Sequence, residues 1–167
     1  MPLYFAYGSN MDQAAMRARC PASRAVGTAR LPRHRFLVMS EGYGTVARDP
    51  RRTVWGVLWE LALADMPALD RYESLHTGLY AKIVQPVVTE RGPRQAILYV
   101  ARSTRPGAPR PGYMEGVLAA AREAGLPADY LRELAALAGE AAGEPARPKV
   151  RPLHAAPAST VPARVRT

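Results

Sequence analysis

The chain has 167 residues with 48% hydrophobic content, enough for one globular domain with a proper buried core. Its single cysteine, Cys20, excludes an internal disulfide, and without a Cys/His cluster zinc has no obvious ligands. The formal net charge of +9 is scattered: residues 140–167 contribute +3 and the rest sits singly, as at Arg48, Arg51, Arg91 and Arg94, so no basic helix face or aromatic-basic strand marks a nucleic-acid partner.

No apolar run reaches the ~18–20 residues of a membrane helix. Met1-Pro2-Leu3-Tyr4 lacks the charged region and cleavage site of a signal peptide, so a cytoplasmic location is expected. A first strand is predicted over 3–7, followed by the turn Tyr7-Gly8-Ser9-Asn10 and a helix from about Met11 to Arg19, stopped by Pro21. Gly8 suits a tight turn, and Ser9 and Asn10 are good N-caps. Such a turn aims backbone N–H groups at whatever lies above the strand end, where an anionic or amide-rich small molecule could sit. An ordinary capped strand–helix joint would use the same residues.

Residues 33–39 read as a second strand, and the glycines of Glu41-Gly42-Tyr43-Gly44 mark a bend. Extended structure resumes over 45–47, Asp49-Pro50-Arg51-Arg52 reads as a turn, and 53–61 is the clearest strand. Trp55, Val57 and Trp59 share one of its faces and Val54 and Leu58 the other. Apolar residues on both faces predict a central strand or a barrel wall, with Gly56 at a bend or close approach. A short helix over 64–71 leads through a loop at 73–78 to strands over 80–88 and 95–102, joined by a hairpin at 90–93. After a Pro/Gly-rich loop over 103–111 come two helices, 113–124 ending at Gly125 and 128–138 opened by Pro127. Residues 1–139 thus form the folded domain. Residues 140–167, rich in Pro, Ala and Arg, are expected to be a disordered tail.

Few side chains are candidates for chemistry. Glu73 stands out among the acids because Tyr72, Leu75, Leu79 and Tyr80 surround it at a helix-to-strand transition, although a solvated helix end would look the same. His34, His76 and His154 form no constellation; His76 could share a cleft with Glu73 but reads more simply as a loop residue. No nucleophile elbow or phosphate loop is present, and no metal or cofactor is expected. Cys20, despite Arg17, Arg19 and Arg24 nearby, reads as a plain thiol.

Phe5-Ala6-Tyr7-Gly8-Ser9-Asn10-Met11, Val54-Trp55-Gly56-Val57-Leu58-Trp59 and Leu69-Asp70-Arg71-Tyr72-Glu73 with Gly78-Leu79-Tyr80, in that order, resemble the γ-glutamylcyclotransferase family. The likeness continues through Tyr113 and Gly125-Leu126-Pro127-Ala128-Asp129-Tyr130 and spans about residues 3–137. It implies an α+β fold, a mixed β-barrel with a few flanking α-helices. It also implies that Tyr7, Gly8, Ser9, Asn10 and Met11 cradle a γ-glutamyl group, that Glu73 is the general acid/base, and that Tyr113 lines the pocket. From the residues alone, Tyr7 and Tyr113 would equally serve as core aromatics. Where the family often has glycine after its glutamate, this chain has Ser74.

The implied reaction is intramolecular: the α-amine of a γ-glutamyl compound attacks its own γ-carbonyl, releasing 5-oxoproline and an amine. With reference pKa values of about 8 for the amine and 4.3 for Glu, proton transfer to Glu73 is uphill by roughly 5 kcal/mol. Burial that raises Glu73 toward about 6–7 would remove more than half of that. The implied partner is a small γ-glutamyl molecule. A non-catalytic binding module of the same fold and, last, a basic nucleic-acid-associated protein are the alternatives.

Overall fold

The computed structural model describes residues 1–142. Strands β1 (Leu3–Ala6), β2 (Arg24–Val38), β3 (Gly44–Glu60), β4 (Tyr80–Thr89) and β5 (Gly92–Ala101) close into a barrel of order β1-β3-β2-β4-β5. The sheet is mixed: β1 runs antiparallel to β3 and parallel to β5, where Tyr4 pairs with Ile97. Contact between β2 and β4, at Arg30 and Val88, completes the ring. Helices α1 (Gln13–Arg19), α2 (Met66–Tyr72), α3 (Tyr113–Glu123) and α4 (Ala128–Ala142) flank it. This is the expected α+β barrel. Among the described residues, no helix is long and apolar enough to cross a membrane.

The largest difference from the sequence reading lies in β2 and β3. The predicted turn at Asp49-Pro50-Arg51-Arg52 does not interrupt β3, which runs unbroken from Gly44 to Glu60. Pro32 pairs with Thr53 and His34 with Arg48, so residues 49–52 bulge opposite Arg33. Pairing on both sides of the bulge outweighs local turn chemistry. β2 likewise begins at Arg24, nine residues before the predicted start at 33. Its first half carries glycine and few large apolar residues, and only its partner β3 holds it extended.

Helix ends follow local signals more closely. Gly125 adopts φ 69°, its N–H bonds Arg122 O at 3.0 Å, and Leu126 N bonds Ala121 O at 3.1 Å. That pair of bonds is the left-handed glycine stop predicted for α3. Helix α4 reaches Ala142, past the domain boundary set at 139, and the rest of the expected tail, 143–167, lies outside the described residues. The start of α1 needs correction. Ser9 and Asn10 do not cap it; they sit with Met11 in a 3-10 turn, and Asp12 caps α1 by accepting from Ala14 and Ala15 N–H at 2.8 and 3.0 Å.

The core fills the barrel and extends under the helices, with Phe5, Leu31, Trp59, Leu98, Met114 and Leu134 fully buried. β3 lies between β1 and β2, as its two apolar faces require. At Gly56 the neighbouring strand comes so close that a Cβ would stand 2.2 Å from Ala6 O. We expect Gly56→Ala to push β1 and β3 apart and lower stability by about 2–3 kcal/mol, read as a fall in the urea midpoint.

Candidate functional site

At one end of the barrel, chain turns converge on a cavity of about 170 Å³. β1 hands over to the Tyr7–Asn10 loop on one side. Opposite, α2 ends at Tyr72, and Glu73 follows with its N–H bonded to Leu69 O at 2.9 Å. The chain then reverses sharply, because Ser74 (φ 53°) and Gly78 (φ 74°) both take left-handed conformations around a 3-10 turn, Leu75–Thr77. This reversal turns Glu73 over the barrel mouth and feeds Tyr80 into β4.

Seven of the eight tyrosines line the cavity: Tyr4, Tyr7, Tyr43, Tyr72, Tyr80, Tyr99 and Tyr113. Glu73 is the only acidic side chain among the lining residues, which also include Gly8, Ser9, Asn10, Gly44, Ser74 and Leu79. Three of the seven tyrosine hydroxyls are tied to backbone. Tyr7 Oη donates to Tyr99 O, Tyr80 Oη donates to Gly44 O at 2.7 Å, and Gly44 N donates to Tyr113 Oη at 2.9 Å. Tyr113 therefore accepts from the protein, and its own proton has no acceptor among the described residues.

Glu73 is held from one side. Asn10 Nδ2 donates to its Oε1 at 2.8 Å and Tyr4 Oη to the same oxygen at 3.3 Å, while Asn10 Nδ2 also lies 3.1 Å from Tyr4 Oη. Oε2 has no hydrogen bond among the described residues. Desolvation by the surrounding side chains raises the Glu73 pKa from 4.5 to about 7, against the opposing pull of Tyr4, Arg19 and Asn10. Burial also raises Tyr4, Tyr7, Tyr80, Tyr99 and Tyr113, so these phenols stay protonated and neutral around the carboxyl. The site thus offers one group that can exchange a proton near neutrality, set among fixed dipoles.

Behind the cavity, Asp70 braces α2. It accepts from Tyr99 Oη and from Lys82 Nζ, the latter at 2.6 Å, tying the helix that carries Glu73 to β4 and β5. The loop residues Gly8, Ser9 and Asn10 line the cavity wall, and their N–H groups have no acceptor among the described residues, which leaves them available to an oxygen anion. Gly8 takes no left-handed turn; at φ −120° a Cβ there would stand 3.1 Å from Tyr113 Oη, so the phenol would have to shift by a few tenths of an ångström.

The structure brings together Tyr7, Gly8, Ser9, Asn10, Tyr113 and Glu73. Met11 stands apart from these: it is 1% exposed and does not line the cavity, and its N–H bonds Gly8 O at 3.0 Å, bracing the loop from the core side. His76 is exposed and outside the cavity, as a plain loop histidine would be. The Pro/Gly-rich loop does not line the cavity; its Arg110 guanidinium lies 4.7 Å from the Tyr43 ring centroid. Sequence reasoning overlooked Tyr4, Tyr43, Tyr99, Gly44 and Arg19. The excess of eight tyrosines over two phenylalanines was the available signal, since a purely structural core has little need of so many hydroxyls. Among the described residues, no three His, Cys, Asp or Glu side chains gather closely enough to hold a metal ion.

Two stability changes follow from this geometry. Because Glu73 binds its proton more tightly folded than unfolded, its favourable contribution is present below about pH 4.5 and is lost as pH rises through about 7. Glu73→Gln escapes that loss, so its stability relative to the native chain should rise by about 2–3 kcal/mol between pH 4.5 and 8 in denaturant titrations. Ser74→Gly relieves a left-handed serine, and after the added freedom of the unfolded chain it should raise stability by about 0.5–1 kcal/mol at fixed pH.

The profile of the AIG2-like family matches residues 53–134. The chain is 31% identical over 146 residues to mouse gamma-glutamylcyclotransferase and 29% identical over 146 residues to the human protein of that name. Each alignment covers 81% of this chain and 78% of the relative. A solved structure titled gamma-glutamyl cyclotransferase superposes with a TM-score of 0.75 at 29% identity, covering 81% of this chain and 86% of its own. A barrel of this topology, matched along its length by such relatives, places the chain in the γ-glutamylcyclotransferase (AIG2-like) family.

Proposed function

We propose that the protein is a γ-glutamyl cyclotransferase acting on a small γ-glutamyl compound, with Glu73 as the proton-transfer group. The observation that carries this reading is a lone carboxyl, raised to about 7, with one oxygen free, across a cavity from unpaired loop amides. A cavity of about 170 Å³ is smaller than most small-molecule sites, so it suits the γ-glutamyl end alone, with the departing portion at the mouth.

The substrate's α-ammonium cannot attack until it loses a proton, and Glu73 Oε2 is the acceptor. The freed amine nitrogen then bonds to the γ-carbonyl carbon of the same molecule, closing a five-membered ring. Both reactants are already on one chain, so folding it into the cavity supplies much of the ordering that the step requires. The amides of Gly8, Ser9 and Asn10 and the hydroxyl of Tyr113 are placed to receive the carbonyl oxygen as it becomes an oxyanion, or the α-carboxylate. When the old C–N bond breaks, the proton on Glu73 passes to the leaving nitrogen, and the restored carboxylate relays the second proton of the ring nitrogen to the released amine, giving 5-oxoproline and an ammonium product. A pKa of about 7 lets one group do both.

The test is 5-oxoproline release from a panel of γ-glutamyl amino acids and γ-glutamyl amines. Glu73→Gln should lower kcat by about 10²–10⁴-fold with the fold intact by circular dichroism. Undiminished release would reject the role, and binding without turnover by the native chain would leave a binding module. The acid limb of kcat/KM should lie near pH 7 and move upward in Tyr4→Phe, which removes a hydrogen bond that favours the ionised carboxyl.

A further inference from the structure

Arg19 closes helix α1, and its half-buried side chain reaches back over the loop that precedes the helix. Its Nη1 donates to Asn10 Oδ1, and its guanidinium lies 3.3 Å from the centroid of the Tyr72 ring. Tyr72 Oη in turn lies 3.0 Å from Ser9 Oγ. Among the described residues Arg19 forms no salt bridge, so this cation is committed to a neutral amide and an aromatic face beside the cavity.

A carboxamide can sit in either of two orientations, and here its neighbours choose. Turned over, Asn10 would set its oxygen against the Glu73 carboxylate and its NH2 against a guanidinium that has only donors. As placed, Oδ1 meets Arg19 and Nδ2 meets Glu73 Oε1 at 2.8 Å. We propose that Arg19 is a positioning residue: by holding Asn10 Oδ1 it fixes the carboxamide that pins Glu73 Oε1, and so reserves Oε2 for proton exchange with the substrate. The catalytic half of this statement rests on the cyclotransferase reading; the structural half does not. Lysine would keep the charge but neither the flat stack on Tyr72 nor the rigid fork.

The other titratable groups lining the cavity with Glu73 are Tyr4 from β1, Tyr7 from the loop after it, Tyr43 from the bend before β3, Tyr72 from α2, Tyr80 from β4, Tyr99 from β5 and Tyr113 from α3. Arg19 is the cation that acts on the carboxyl, favouring its ionised form.

The experiment follows the Glu73 side-chain carboxyl carbon by 13C NMR across pH in the native chain, Arg19→Gln and Arg19→Lys, with Glu73→Gln to assign the signal. Arg19→Gln should move the Glu73 midpoint upward by about half a pH unit or more, with Arg19→Lys nearer the native value. On a turned-over γ-glutamyl substrate, Arg19→Gln should cut kcat roughly tenfold or more while KM changes by less than about threefold. An unmoved midpoint in Arg19→Gln, an equal shift in both variants, or a rise in KM alone would overturn the proposal. If the native chain releases no 5-oxoproline, the cyclotransferase reading falls, and the NMR midpoints still decide whether Arg19 sets the state of Glu73. Should Arg19→Gln not fold, Arg19→Lys alone decides: a lowered kcat with a near-native midpoint is expected, and native values of both would overturn it.

Discussion

The hydrogen bond from Asn10 Nδ2 to Glu73 Oε1, 2.8 Å across 63 residues of sequence, joins the two sides of the barrel mouth. One side is the loop after β1 and the other is the end of α2. Around this contact the carboxyl loses most of its water, and loss of water raises its pKa more than the donors lower it. Without those donors a desolvated carboxyl would be held more tightly in its neutral form. Without the desolvation it would remain an ordinary exposed glutamate. Both influences have to act together for the group to change protonation near neutrality.

The barrel supplies the frame that makes such a balance reproducible. Tyrosines reach the cavity from β1, β4, β5, the loops and α3, and several are tied to main-chain groups of a neighbouring element. The wall is therefore set by backbone positions in a closed sheet more than by free side-chain rotamers. Asp70, one turn before Glu73 on α2, extends this bracing to Tyr99 and Lys82. A closed sheet with no free edge between β1, β4 and β5 keeps these anchor points at fixed separations.

Function and stability pull in different directions at this mouth. A desolvated carboxylate and a left-handed serine both cost folding free energy, and both sit within two residues of each other at Glu73 and Ser74. The position after Glu73 has glycine-like geometry, a left-handed backbone that a serine occupies at a cost. The serine keeps the backbone path but places a hydroxyl on the cavity wall. Local rules of sequence–structure agreement are broken here and obeyed in the surrounding barrel, as expected where a site rests on a stable scaffold.

The chain's own pattern determined the element types, the buried β3, the glycine stop of α3 and, through ordered motifs, the barrel family. These are local properties: residue shape, periodicity and capping chemistry act over a few positions. Tertiary structure decided the rest. Asn10 did not cap α1, because its amide is engaged by Glu73 and Arg19, and Asp12 took the cap instead. The turn at 49–52 became a bulge because β2 pairs on both sides of it. The ring of tyrosines and the role of Arg19 were invisible for the same reason: residues scattered from 4 to 113 become neighbours only when the sheet closes, and desolvation and hydrogen bonding depend on neighbours in space.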